Sequence, residues 1–213
     1  IGDASTSEGH FWESINACGV LQLPVVMSIW DDGYGISVPS EYHTTRNDLS
    51  KVLSGFQRSS KNENGFELIT VKAWDYEGLL KAYSKAVKFA REDHVPSIIH
   101  VKEVTQPQGH TTSGSHERYK SKERLKWEED FCCIKKMREW ILKNKISDKE
   151  TLDKVKEKIR SELLNHKPMN TLIHGDLWSG NVGIDKSGRG VIFDPASWWA
   201  DNEVDIAMTK LFG

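Results

Sequence analysis

The sequence predicts an α/β fold: a partial open parallel sheet with crossover helices, then a helical connector, then a small C-terminal α+β segment. Three observations carry this. Apolar runs of strand length alternate with helical periods over residues 1–114. Charge crowds residues 115–162, where 15 Lys or Arg and 11 Asp or Glu fill 26 of 48 positions. Short strand and turn signals return after residue 163 and end in a helical pattern. The domain division that follows is 1–114, 115–164 and 165–213.

Phe11 to Leu21 reads as a helix with Phe11, Ile15 and Cys18 on one stripe and Ser5, Thr6 and Ser7 as candidate caps. The continuous apolar run Leu23 to Trp30 reads as a strand buried on both faces. Phe66 to Val71 is a second strand and Pro96 to Val101 a third. Between them Gly78 to Glu92 is a helix with Leu79, Leu80, Tyr83, Val87 and Ala90 on or near one face. Strand, helix, strand is the order of a sheet with crossover connections. Residues 117–146 read as mostly helical, with Trp127, Phe131, Ile134, Met137 and Ile141 as the apolar stripe. Ser147 and Glu150 form a capping-box pattern before a helix carrying Leu152, Val155, Ile159 and Leu163. The charges of this middle region read as solvated helix faces. Thr171 to Ile173 is a strand, and Val182 to Ile184 with Val191 to Phe193 is a hairpin about the turn Asp185 to Gly190.

Composition bounds the function. The 213 residues are 38% hydrophobic and 28% charged, as in a globular protein with one core or two small ones. The longest apolar run, Val20 to Trp30, holds Gln22 and Pro24 and falls short of the ~20 residues that span a bilayer. A net charge of -2 argues against broad capture of nucleic acid. Cys18, Cys132 and Cys133 include no CxxC, which points to a reducing compartment. With no targeting segment, the expected location is the cytoplasm or the mitochondrial matrix. The sequence opens at Ile1-Gly2-Asp3 without an initiator Met and stops at Leu211-Phe212-Gly213 just after a helical pattern, so it reads as pieces of larger domains.

Two constellations carry chemistry. Asp3 lies where a short strand meets a helix, and Asp31-Asp32-Gly33-Tyr34 follows the next strand. Carboxyl ends of neighbouring parallel strands border one crevice, so Asp3 and Asp32 can converge there. Two carboxylates and a carbonyl are hard donors suited to Mg²⁺ on a diphosphate. The alternative is that Asp3 caps a helix and Asp31-Asp32-Gly33 is an ordinary polar turn.

Gly2-Asp3-Ala4-Ser5-Thr6-Ser7-Glu8-Gly9, with Asn16-Ala17 and Asp31 to Ser37, closely resembles the alpha part of thiamine-diphosphate-dependent 2-oxoacid dehydrogenases. The resemblance runs over residues 1–142 and implies a thiamine-diphosphate-binding fold fragment and an oxidoreductase that decarboxylates a 2-oxoacid. It implies magnesium ligands at Asp3, Asp32 and the Tyr34 carbonyl, and cofactor contacts at Asp3, Ala4, Glu8, Asp32, Tyr34, Ile36 and His110. His110, in the loop Gln108 to Ser113, takes a catalytic role by the same resemblance. Ala4 replaces the usual second glycine, and Asp31-Asp32 replaces an Asn pair, adding charge beside the diphosphate. Implied partners are a beta-type subunit and a lipoyl carrier. Exposed sheet edges would favour an oligomer.

The second constellation is His174-Gly175-Asp176-Leu177-Trp178-Ser179-Gly180-Asn181, followed by Phe193-Asp194-Pro195-Ala196 and Glu203-Val204-Asp205. Phosphoryl transfer needs a carboxylate to receive a hydroxyl proton, and an amide and a carboxylate to hold Mg²⁺. Asp176, Asn181 and Asp194 have that chemistry; the alternative is ordinary loop polarity. These residues resemble the catalytic end of fructosamine and ketosamine kinases, of the aminoglycoside-phosphotransferase-like fold, over residues 165–213. The resemblance implies Asp176 as catalytic base, Asn181 and Asp194 as magnesium ligands, and ATP as phosphoryl donor. It implies that Glu203 and Asp205 brace the lobe, and it sets Trp178, Trp198 and Trp199 beside a sugar-amine site or partly in the core.

The chain thus reads as two family fragments joined between residues 143 and 165. The longer span favours the dehydrogenase, with the ketosamine kinase as the alternative activity and a non-catalytic soluble fusion fragment as the third reading.

Overall fold

The computed structural model describes residues 1–106 and 116–212, in two compact units: 1–106 with 116–146, and 147–212. In the first unit, α1 (Gly9–Leu21), β1 (Val26–Trp30), the hairpin β2 (Tyr34–Gly35) and β3 (Val38–Pro39), and α2 (Leu49–Leu53) come in chain order. They are followed by β4 (Glu67–Lys72), α3 (Tyr76–Asp93), β5 (Ser97–Lys102), α4 (Lys122–Asp130) and α5 (Cys133–Lys143).

β1, β5 and β4 form a parallel three-stranded sheet in that order, with Val26 and Glu67 both paired to Ser97. The alternation of a strand divides the core in two. Ile98 points to the side of Phe11, Ile15, Ile29, Leu49, Leu53 and Phe66. Ile99 and Val101 point to the side of Val71, Ala73, Ala82 and Ala86. The mixed α/β class holds, with a sheet of this small size.

Several expectations move. β1 is an edge strand and mostly half-buried; the strand buried on both faces is β5. An apolar run records hydrophobicity, not the number of neighbouring strands. Glu8, not Ser5 to Ser7, stands at the N-cap of α1, because Ala4–Ser7 coil into a 3₁₀ turn of their own.

The buried face of α3 is Ala82, Ala86 and Ala90, while Leu80 is 62% exposed. Leu79 and Tyr83 of the expected face pack against this core and Ala90 is buried, but Leu80 and Val87 are exposed, and Ala82 and Ala86 take the closest positions because small side chains let the helix axis approach the sheet. Ala86→Leu is expected to destabilise the unit by about 1–3 kcal/mol through overpacking. Leu80→Ala is expected to stay within about 0.5 kcal/mol of wild type. Urea unfolding of both variants checks the assignment, and the reverse ranking would refute it.

The helical stretch 117–146 breaks at Cys132, whose φ -49 and ψ 120 leave the helical region. There the Cys133 N–H donates to Thr105 Oγ1 at 3.3 Å. Trp127 stacks on Phe131 at 5.4 Å, and Phe131 meets Trp74 at 5.1 Å, but Ile134 is exposed. The charges are not all solvated: Glu128 and Lys120 are buried together.

In the second unit, α6 (Lys149–Asn165) is capped by Asp148, which accepts from the Thr151 N–H at 2.7 Å, one residue later than the expected Ser147 box. Its stripe residues Val155, Ile159 and Leu163 are exposed. β6 (Asn170–Ile173), β7 (Val182–Ile184), β8 (Gly190–Ile192), β9 (Trp198–Asp201) and α7 (Glu203–Phe212) follow. β6 pairs antiparallel with β9, and β7 with β8. The β7–β8 turn closes on Asp185, whose Oδ1 accepts from the Ser187 and Arg189 N–H groups. Among the described residues no helix is long and apolar enough to cross a membrane.

Candidate functional site

The kinase-like loop begins where β6 ends. Ile173 is buried and anchors the strand, and the chain then turns through Gly175 at φ +79. A Cβ there would lie 2.5 Å from the Ala196 carbonyl oxygen and 2.6 Å from Trp198 Nε1, so only glycine fits. Asp205, in the first turn of α7, clamps the same turn. Its Oδ2 accepts from the His174 N–H at 2.7 Å and its Oδ1 from the Gly175 N–H at 2.9 Å.

His174 fixes a second contact. Its Nε2 lies 3.0 Å from the Phe193 carbonyl oxygen, which can only accept, so Nε2 carries the proton. Nδ1 is then free to accept from the Asp176 N–H at 3.3 Å. Asn181, buried at the end of the 3₁₀ turn Ser179–Asn181, donates through Nδ2 to the Asp176 carbonyl at 2.9 Å and to Asp176 Oδ2 at 3.0 Å. The Phe193 N–H donates to the Asn181 carbonyl at 3.1 Å. Phe193 is thus pinned to both His174 and Asn181, and Asp194 follows it in the chain at φ +55. His174 was legible only as a member of the motif; its role in tying the strand ends together needs the fold.

The donor set suits a hard cation. Asn181 spends its amide hydrogens on Asp176, which leaves its side-chain oxygen unspent as a hard donor. Among the described residues no group of three or more His, Cys, Asp or Glu is arranged to hold a metal. An amide and a carboxylate fit an ion that shares its remaining ligands with nucleotide phosphates. Trp198 packs its indole N–H edge against Gly175, while Trp199 is exposed.

The N-terminal residues converge in the first unit. Gly2 bridges to Trp30 in parallel, and the Asp3 N–H donates to the Trp30 carbonyl at 3.0 Å. Asp3, Ala4, Asp32, Tyr34 and Ile36 line one cavity of about 580 Å³; Glu8 does not, and His110 lies outside the described residues. Asp31 and Asp32 accept from the Gly33 and Tyr34 N–H groups, so they do form a polar turn. Asp3 stands at the head of a 3₁₀ turn without a side-chain cap bond.

Asp3 is 3% exposed, with Oδ2 lacking a hydrogen-bond partner. Burial, then the charges of Asp31 and Asp32, push its carboxyl up to about 7. Burial also raises Asp32. The unfolded Asp3 carboxyl titrates near 3.8. The folded state therefore holds the extra proton between about pH 4 and pH 7, and stability falls as pH rises through that window. Asp3→Asn is expected to flatten this part of the stability–pH curve and to gain on wild type at pH 8. Urea midpoints from pH 4 to pH 8 check it; an unchanged slope in the variant would refute it.

Comparison with known proteins corrects the functional reading. The profile of the fructosamine kinase family, described as "Fructosamine kinase", matches residues 102–213. A "Probable ketoamine kinase" of Vibrio vulnificus is 48% identical over 73 residues, covering 34% of this chain and 25% of its own. One from Synechocystis is 52% identical over 56 residues, covering 26% and 19%. One from Staphylococcus aureus is 35% identical over 96 residues, covering 41% and 33%. The chain spans about a quarter of the length of the first of these relatives.

The family match begins at Lys102, inside the stretch 1–142 given above to a dehydrogenase. The 2-oxoacid dehydrogenase activity, the oxidoreductase class and thiamine diphosphate are therefore set aside, because what the chain matches is the fructosamine kinase family. The lipoyl carrier and beta-type subunit were implied by that resemblance alone. Matched from residue 102 to residue 213, over more than half its length, the chain belongs to the fructosamine kinase family.

Proposed function

We propose that residues 165–213 are the catalytic end of a ketoamine kinase, a segment of a kinase-like C-lobe that phosphorylates a sugar hydroxyl of a small ketoamine. The observation that carries this reading is the Asn181 amide, which bridges the Asp176 carbonyl and carboxylate while its backbone holds Phe193, the residue before Asp194. MgATP, when bound, supplies the transferable phosphoryl group and neutralises its charge.

The chain's own residues do the rest. Asp176 receives the proton of the sugar hydroxyl through the carboxylate oxygen not held by Asn181. Asn181 keeps that carboxylate oriented and turns its amide oxygen to the cation, with Asp194 beside it. His174 and Asp205 hold the turn that aims Asp176. Trp178 and Trp198 offer indole surface at the loop for the sugar-amine.

The test is binding and turnover by the purified chain. Mn²⁺, added as a probe for Mg²⁺ and followed by paramagnetic broadening, is expected to affect signals of Asp176, Asn181 and Asp194 and to lose this effect in Asp194→Asn. ATP-dependent phosphorylation of a fructosyl amine, followed by mass, is expected from the same preparation. Broadening spread evenly over surface carboxylates, with no phosphorylated product, would overturn the reading.

A further inference from the structure

Three polar side chains fall in a line across the face of the parallel sheet that packs against α1 and α2. Period-two alternation puts Thr70 on the side of Leu68, His100 on the side of Ile98 and Asp31 on the side of Ile29. Ile29, Ile98 and Leu68 share one core. Ser50 reaches down from α2 onto this row.

His100 is fully buried between its neighbours. Its Nε2 lies 2.7 Å from Asp31 Oδ2, and its Nδ1 lies 2.6 Å from Ser50 Oγ. Ser50 Oγ is also 2.8 Å from Thr70 Oγ1.

The order of protons follows from what each group can do. As a carboxylate Asp31 only accepts, so His100 carries its proton on Nε2 and presents a lone pair at Nδ1. The Ser50 hydroxyl donates to that lone pair, and the Ser50 oxygen accepts from Thr70. A hydroxyl aimed at an imidazole, itself oriented by a carboxylate, is the arrangement that activates a serine. An interior polar row needs hydrogen-bonded partners, but that need does not dictate a hydroxyl at the rim. Ser50 is half-buried and Thr70, on the edge strand β4, is exposed. Ser50 thus stands at the partly exposed rim of the row.

We propose that Ser50 is an activated nucleophile that accepts acyl groups from small esters. All three residues precede the stretch matched to the kinase family, so the activity is separate from phosphoryl transfer. Ser50 Oγ adds to the ester carbonyl carbon as its proton passes to His100 Nδ1, and Asp31 holds the resulting imidazolium at Nε2. Collapse breaks the ester C–O bond, and the alcohol leaves with the proton from His100. Water then gives a proton to His100 Nδ1 and attacks the acyl carbon. The carboxylic acid departs as Ser50 recovers its proton. Access from the open edge of the sheet restricts the acyl donor to a small or flexible group.

The test uses the whole chain with a biotinylated fluorophosphonate and with p-nitrophenyl acetate. The expected results are a single adduct on the peptide containing Ser50 and ester hydrolysis that falls about 100-fold or more in Ser50→Ala. Asp31→Asn, which keeps the shape but upsets the proton order, is expected to slow labelling by a similar factor. Both variants are to be checked for cooperative unfolding, and urea-unfolded wild type is expected not to label. No adduct on Ser50 in the folded chain, or hydrolysis equal in Ser50→Ala and wild type, would overturn the proposal. Labelling equally fast in a folded Asp31→Asn would overturn the relay through His100.

Discussion

Asp176→Asn is expected to lower kcat for ATP-dependent phosphorylation of a ketoamine by about 10²–10⁴-fold, the range lost when a positioned general base is removed. The amide keeps the shape of the carboxylate, so the Asn181 contacts at the carbonyl and side-chain oxygen can both survive. KM for the ketoamine is expected to change little, because the proton moves only in the transition state. Asp205→Asn gives the contrast. It replaces one accepting oxygen of the clamp on the His174 and Gly175 N–H groups, and an amide NH₂ cannot accept there. Amide exchange at residues 174 and 175 is expected to quicken in that variant, and kcat and KM to shift together. Steady-state kinetics separate the two effects. A kcat for Asp176→Asn within a few-fold of wild type would remove Asp176 from the chemistry.

Glu128→Gln is expected to be the most destabilising polar change in the first unit. Glu128 is 1% exposed and accepts from Lys120 Nζ at 2.8 and 3.0 Å and from Arg124 Nε at 2.7 Å. The Lys120 ammonium also sits 5.2 Å over the Tyr34 ring. Taking away the carboxylate that bonds both cations leaves a buried ammonium without its hydrogen-bonded counter-charge, which costs about 3–5 kcal/mol. For a unit of this size that is a fall in Tm of roughly 6–20 °C. Lys120→Met with Glu128→Leu, which removes both charges, is expected to recover much of the loss. Thermal melts of the single and double variants decide the matter, and a single variant as stable as wild type would show the pair to be solvated.

That pair marks the boundary of what the sequence discloses. Lys120 and Glu128 lie in a stretch where more than half of the residues are charged, and composition there reads as a solvated surface. Which two of many charges face inward depends on where Lys120 meets Tyr34 and Arg124 meets the Asp32 carbonyl, and those are contacts over long separations. β4, β5 and α3 were legible within a residue or two because their patterns are local. The buried face of α3 was legible in part: Leu79, Tyr83 and Ala90 were placed, but Ala82 and Ala86 were missed, since alanines carry little weight in a hydrophobic pattern yet decide how near a helix can approach.

The motif around Asp176 was legible in full, being short and rich in unusual residues. The function of the N-terminal stretch was misjudged for the opposite reason. Asp3, Asp32 and Tyr34 do gather at one cavity, yet convergence of acidic residues near strand ends is a property of parallel sheets in general. The row Asp31, His100 and Ser50 was invisible, because its members are tens of residues apart and meet only through strand register.

The same register has a consequence for how the protein is made. Apart from the bridge of Trp30 to Gly2, β1 pairs among the described residues with β5, and Val26 meets Ser97, 71 residues further along the chain. At about 5–20 residues per second, a ribosome emits that stretch in roughly 4–14 s. Until then Val25 to Trp30 has only the short Ile1–Asp3 segment to pair with, and loop closure over such a distance is slow. The newborn first unit therefore spends seconds with its most apolar run short of its main strand partner, a window of exposure set by the order of synthesis rather than by the stability of the finished fold.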